Sequence, residues 1–239
     1  VEGVIGMIID PTQQSSKENY KLLIGSVLPR PIAWVSSVSS GGELNLAPFS
    51  FFTVASRNPP MLIFSIGEGV GARTGTVKDT LTNIREQGEF VVNIVSASLA
   101  NEMAKTGEHV APEIDEFDYV GLTPISSEVV SVPRVKESPV SMECELVQVI
   151  PLGDDHLVIG KVLRFHVQDD LYDKGRIDTA KLAPIGRLAW HAERGESQAA
   201  REDGGRRIAG SLPPPATGDL QQDQLEGDQL VVKIVHHRE

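Results

Sequence analysis

Asn45-Leu46-Ala47-Pro48-Phe49-Ser50-Phe51-Phe52 sets a proline, which has no N–H to donate, among small, polar and aromatic residues. Such a stretch suits a strand edge whose backbone N–H groups hold a flat ring. It carries three of the chain's 7 phenylalanines, more than a small core requires of one strand. An ordinary reading stands beside this one: a barrel strand with Phe49, Phe51 and Phe52 in the core and Ser50 facing water. Downstream, Lys78-Asp79-Thr80-Leu81-Thr82-Asn83-Ile84 opens a helix with a cation, a carboxylate and a hydroxyl. With the free N–H groups of a helix start, that set suits a phosphate, and Arg73, Thr74 and Thr76 lie just upstream. Its ordinary reading is a solvated helix start. A ring and a phosphate together point to a nucleotide-like cofactor.

Outward from these stretches, short β-branched and aromatic runs alternate with Gly, Pro, Asn and Asp, the pattern of strands joined by turns. Residues 31–39 read as a strand, Gly41-Gly42 as a hairpin turn, and 46–55 as one continuous strand ended by Asn58-Pro59-Pro60. Residues 61–66 form a nearly unbroken apolar strand. Asp79 is expected to cap a short helix that buries Leu81 and Ile84 and ends at a left-handed Gly88. A strand over 90–95, a helix over 98–107, and a long hairpin of 140–152 with 156–167 around Gly153-Asp154-Asp155 follow. The fold expected is mainly β, an antiparallel barrel with a few short helices. Its domain spans 20–191, after an N-terminal arm over 1–19. The remainder, 192–239, is an acidic tail rich in Gly, Pro and Gln with little to bury, except that 230–235 is β-branched enough to pair as an edge strand.

Of the 239 residues, 22 are Lys or Arg and 33 are Asp or Glu, giving a net charge of −11. Such a surface repels nucleic acid and anionic lipid, so neither is expected as a partner. The single cysteine, Cys144, excludes an intrachain disulfide and fits a reducing compartment; the cytoplasm is expected. Residues 1–10 show no cationic leader or A-x-A-like site, and the chain has no run of eighteen apolar residues, so a soluble protein is expected. The 6 histidines lack metal-binding spacing, and no G-x-S-x-G elbow occurs. Gly67-Glu68-Gly69-Val70-Gly71-Ala72 imitates a dinucleotide fingerprint, but Gly75 interrupts the helix that should follow, and a loop is the favoured reading. Cys144 reads as a packed thiol, since no cation flanks it.

The blocks, taken in order, resemble the flavin reductase-like family of FMN-binding split β-barrel proteins, which includes flavoredoxins. The likeness runs through Pro29-Arg30-Pro31-Ile32-Ala33-Trp34, the Asn45–Phe52 stretch, Pro59-Pro60-Met61, Lys78-Asp79-Thr80 with Asn83-Ile84, Gly88-Glu89-Phe90-Val91-Val92-Asn93 and Ser138-Pro139-Val140. It implies a homodimeric Greek-key-type split barrel that binds FMN. The ring would lie against Ala47, Pro48, Ser50 and Phe51, with Arg30 and Asn45 near it and the phosphate by Arg73, Lys78, Asp79 and Thr80. The activity implied is NAD(P)H-dependent flavin reduction with electrons passed to flavin, oxygen or a partner. The alternative is an FMN-bearing electron carrier with no nicotinamide site, and a flavin-free structural barrel is a third reading. No catalytic side chain is assigned, because the flavin carries the redox chemistry. Where the family commonly has small residues and a Tyr, this chain has Ala189-Trp190-His191, and Trp190 serves either the ring's open face or an interface.

Overall fold

The computed structural model describes residues 6–69, 75–108, 114–188 and 231–233. Its main sheet has seven antiparallel strands: β1 (Ala33–Val38), β2 (Leu44–Phe49), β3 (Phe52–Arg57), β4 (Pro60–Gly67), β5 (Glu89–Ile94), β6 (Val140–Leu152) and β7 (Asp155–Val167). They lie in the order β2-β1-β5-β6-β7-β4-β3. β2 and β3, consecutive in sequence, thus stand at opposite ends of the sheet and are joined only by Ser50-Phe51. The sheet therefore curls on itself, yet β2 pairs with β1 and β3 with β4, and no ladder joins β2 to β3. This is a split β-barrel.

The break at Ser50-Phe51 corrects the single strand expected over 46–55. The break carries neither Gly nor Pro, and its one polar residue, Ser50, is compatible with a continuing strand, so nothing local marks it. What imposes it is the near-closure of the barrel, which needs a corner there. The Phe51 carbonyl accepts the Ser65 N–H at 2.9 Å and fastens that corner to β4.

Ala33, Val35, Phe49, Leu62, Phe64, Phe90, Val92, Met142, Cys144, Val158 and Val162 fill the interior, and the half-buried Phe52 of β3 packs against them. Phe64 packs against Phe49 and Phe90 with centroids 5.4 and 5.5 Å apart. Burying each such ring is worth ~1.5–3 kcal/mol. Room for Phe90 comes from Gly160, where a Cβ would lie 2.3 Å from the ring's Cζ. Burial and the adjacent Glu143 push the Cys144 thiol up, which leaves it a packing group as expected.

The barrel's outer face is covered too, so β1, β5 and the start of β6 are buried on both faces. Trp34, Leu46, Val95, Met103, Phe117 and Val135 form a second core there, with helices α3 (Ala100–Lys105) and α4 (Glu116–Val120) laid over it. Asn93 ties the layers together. Its amide donates to the Trp34 carbonyl and to Ser36, and its oxygen accepts from the Val135 N–H and the Ser141 hydroxyl. Beside it, the fully buried Glu143 accepts the N–H groups of Glu128, Val129 and Val130 at 2.7, 2.8 and 3.2 Å, and sits 2.5 Å from His166 Nε2. Burial opposes its charge, but these donors hold its carboxyl below the usual range.

Two helices frame the barrel. α1 (Ser16–Ser26) begins with a capping box between Ser15 and Glu18 and crosses residue 20. α2 (Asp79–Gln87) lends Leu81 and Ile84 to the interior and ends at Gly88, whose φ of 73° is the left-handed cap foreseen from sequence. A small sheet joins Arg30–Pro31, β8 (Ile185–Arg187) and β9 (Val231–Lys233), so part of 230–235 does pair as a strand. Among the described residues no helix is long and apolar enough to cross a membrane.

Candidate functional site

β2 is one edge of the sheet, and α2 starts beside it. Between them opens a solvent-open cleft lined by Asn45, Ala47, Pro48 and Phe49 of β2 and by Lys78, Asp79 and Thr80 at the start of α2. The two stretches singled out in the sequence thus line one cleft, although they lie about thirty positions apart. A proline at this edge removes no ladder bond that the sheet needs, because Pro48 faces outward from an end strand.

The floor is polar and organised. Asn45 Nδ2 donates to Thr80 Oγ1 at 2.9 Å and to Ser37 Oγ at 3.2 Å, and Asn83 Nδ2 reaches the same Ser37 oxygen at 3.2 Å. Asn45, Thr80 and Asn83 are all buried, so these bonds fix their rotamers and hold α2 to β2. Asn83 is one helical turn beyond Thr80, a spacing that places both on the face toward the barrel.

Asp79 is not the cap expected. Lys78 occupies that position, with extended φ −69° and ψ 144°, and its carbonyl accepts the Leu81 N–H at 3.0 Å. Asp79 is therefore the first helical residue, where a carboxylate suits the helix dipole. The Lys78 ammonium lies 5.6 Å from the centroid of Phe49, within cation–π range, and borders the cleft. Ser50 and Phe51 stand at the barrel corner just past β2, with Phe51 against Tyr20 of α1 at 6.4 Å. Arg73, Trp190 and His191 lie outside the described residues.

Arg30 goes elsewhere. Its guanidinium is buried and donates to the carbonyls of Ile24, Val27 and Leu188 at 2.7, 3.1 and 3.3 Å. It anchors the end of α1 to the strand β8 region, and it does not line the cleft of Lys78.

Several lining residues escaped the sequence reading. Thr106, Gly107 and Glu108 arrive from the end of α3, which Trp34 Nε1 pins by donating to Thr106 Oγ1 at 2.8 Å. Glu116 arrives from the start of α4, where Asp115 caps the helix through the Phe117 N–H. Its Oε2 accepts the Leu46 N–H at 3.1 Å, which occupies a donor on the exposed edge of β2. Burial pushes the Glu116 carboxyl up to about 7; the Leu46 N–H opposes that rise, while Asp115 and Asp79 add to it. Nothing near Asp115-Glu116-Phe117 in sequence signals a partner seventy positions away. Among the described residues no cluster of His, Cys, Asp and Glu is arranged to hold a metal ion.

The cleft combines an edge strand, a helix start with a lysine, and a buried amide–hydroxyl floor. Comparison with known proteins agrees with this chemistry. The model of the flavin reductase like domain matches residues 24–193. A protein of Aquifex aeolicus is 45% identical over 170 residues, covering 71% of this chain and 85% of that one. Among solved structures, nitrilotriacetate monooxygenase component B from Bacillus cereus is 45% identical, with a TM-score of 0.75 over 79% of this chain and 95% of its own. The Pseudomonas fluorescens 2-nitrobenzoate 2-nitroreductase NbaA is 30% identical, with a TM-score of 0.69 over 88% and 100%. Flavoredoxin of Desulfovibrio vulgaris, at 22% identity and a TM-score of 0.61 over 72% and 94%, shares the fold. With its split barrel and its match along most of its length, the chain belongs to the flavin reductase like domain family.

Proposed function

We propose that this protein is an FMN-binding oxidoreductase that takes reducing equivalents from NADH or NADPH and passes them to a second flavin, oxygen or a protein acceptor. One observation carries the reading: the edge of β2 and the start of α2 border a single cleft. The residues fit a flavin mononucleotide. Lys78 and the N–H groups opening α2 suit its phosphate, and Thr80 and Asn45 suit the hydroxylated chain next to it. The ring then lies along Ala47, Pro48, Ser50 and Phe51, where backbone N–H groups meet its polar edge. Arg73 belongs to the proposed set through its place before Lys78. Arg30, engaged by three carbonyls, is left out of it.

Bound FMN supplies the hydride-accepting atom, so the protein's part is to hold, orient and shield. Backbone donors at the barrel corner stabilise the negative charge of a reduced ring. The buried Ser37, Asn45, Thr80 and Asn83 network keeps the phosphate end of the cleft rigid.

A homodimer is part of this proposal. β3 is the other edge of the sheet, its Val54 is 67% exposed, and Tyr20, Leu23 and Val27 of the adjoining α1 region are exposed too. An apolar strand edge of this kind is covered in a working protein. Sedimentation of the full chain is expected to give twice the mass of one chain.

The deciding experiment is a visible spectrum of the purified protein, with and without added FMN, followed by anaerobic NADH or NADPH. A flavin band that bleaches without a partner is expected. A band that persists would replace the reductase with an electron carrier, and a protein that binds no flavin would overturn the reading.

A further inference from the structure

Among the described residues the cleft's lining carries three carboxylates, Asp79, Glu108 and Glu116, to one cation, Lys78. Past Asn45 lies a second hollow bordered by Glu43, Asp79, Asn83 and, again, Glu116. Glu116 is common to both hollows. The charged groups around it, among the described residues, are Asp79 and Lys78 from the start of α2, Glu43 from the turn before β2, Glu108 after α3, and Asp115 on its own helix. A dianionic phosphate entering beside so many carboxylates is opposed unless one of them is neutral.

Glu116 is the one built for that. It is half-buried, and its Oε2 accepts the Leu46 N–H, with its own backbone N–H as a second, weaker donor. A protonated carboxyl keeps Oε2 as the acceptor and carries its proton on Oε1, so the contact with the strand edge survives titration. Resting on the flavin reading above, we propose that Glu116 is a proton-linked specificity residue: FMN enters the cleft with Glu116 protonated, and binding draws a proton from solvent on to this carboxyl. The residue thereby sets how far the site favours the phosphorylated flavin over riboflavin.

The sign follows from linkage. A bound phosphate raises the Glu116 pKa above its value in the free protein, which already lies at about 7. FMN affinity is therefore full below that value and declines as pH rises through it. Riboflavin, lacking the phosphate, shows no such decline.

The test is titration of the full-length, flavin-free protein with FMN and with riboflavin, for the wild type and for Glu116→Gln. Glutamine keeps an acceptor for the Leu46 N–H and is neutral at every pH. From about pH 6 to about pH 8.5 the wild type should lose roughly tenfold more FMN affinity than the variant, about one pKa unit of linkage. The FMN phosphate's own ionisation is common to both and cancels in this difference. Calorimetry in two buffers of different ionisation enthalpy should show proton uptake with FMN near neutral pH in the wild type, and its loss in the variant. Equal pH slopes and equal uptake in both proteins would overturn the role of Glu116 while leaving the FMN site intact. A riboflavin slope matching that of FMN would also overturn it, since the proton would then not answer to the phosphate. Failure of both flavins to bind at any pH would remove the flavin reading itself, and this inference with it.

Discussion

Glu143 and Glu116 are carboxylates of one barrel that both accept backbone N–H groups, and they end in opposite states. Glu143, under the 128–131 segment, receives three N–H bonds and a contact from His166, and its carboxyl is held below the usual range. Glu116, in the cleft, receives the N–H of Leu46 and, more weakly, its own, and faces Asp79 and Asp115; burial lifts its carboxyl to about 7. Burial penalises the charge in both cases, and the count of donors decides which residue stays ionised. The donor-rich site, on the inner strand β6, is built as a rigid joint. The donor-poor site, beside the edge strand β2, is left able to change charge near neutral pH, and it is the one that borders the cleft.

The largest expected effect tests the joint. Glu143→Leu leaves three backbone donors and His166 facing an apolar side chain, and should cost about 3–5 kcal/mol of unfolding free energy in urea. Glu143→Gln, which retains one acceptor, should fall between that variant and the wild type. A loss of less than about 1 kcal/mol for the leucine variant would mean that water satisfies these donors, and the contrast with Glu116 would collapse. The pH sign is fixed by the lowered carboxyl. Its stabilisation is present in full above the unfolded carboxylate's 4.5 and is lost as acid protonates the folded form.

Next in size is the cation of the cleft. Lys78→Ala should weaken FMN by about 1.5–3 kcal/mol, the range for hydrogen bonds to charged groups, and leave riboflavin nearly unchanged. Equal losses for both ligands would move the phosphate away from the start of α2. That result would also strip the donor-poor site of its proposed task.

How much of this was legible from residues alone depends on how local each signal is. The chain announced its strands through apolar runs, and α2 through Leu81, Ile84 and Gly88, because these signals are local. The two stretches that line the cleft were legible because each carries its chemistry within a few residues. α1 was missed despite a legible capping box at Ser15 and Glu18, since none of its residues is buried and it shows no apolar stripe. The corner at Ser50-Phe51 was illegible, because barrel closure rather than local sequence demands it. Glu143 and Glu116 were illegible for a related reason. Glu116 meets Leu46 across seventy residues and Glu143 meets His166 across 23, so neither role exists until the strands are in register.

The smallest effect sharpens the comparison most, because it reads Glu116 in the absence of any ligand. A carboxyl whose folded pKa lies above its unfolded value binds more protons when folded, so the protein loses stability as pH rises from the unfolded 4.5 towards 7 and the loss then levels off. Glu116→Gln removes this liability. Its melting temperature should match the wild type's at about pH 4.5 and exceed it by a margin that grows to about pH 7 and stays constant above. The order is opposite to that for Glu143, whose contribution disappears in acid. A variant whose stability relative to wild type is the same at every pH would show that folding leaves the Glu116 pKa at its unfolded value. The backbone donors of Glu116 would then offset its burial, and the donor count would no longer distinguish the two carboxylates.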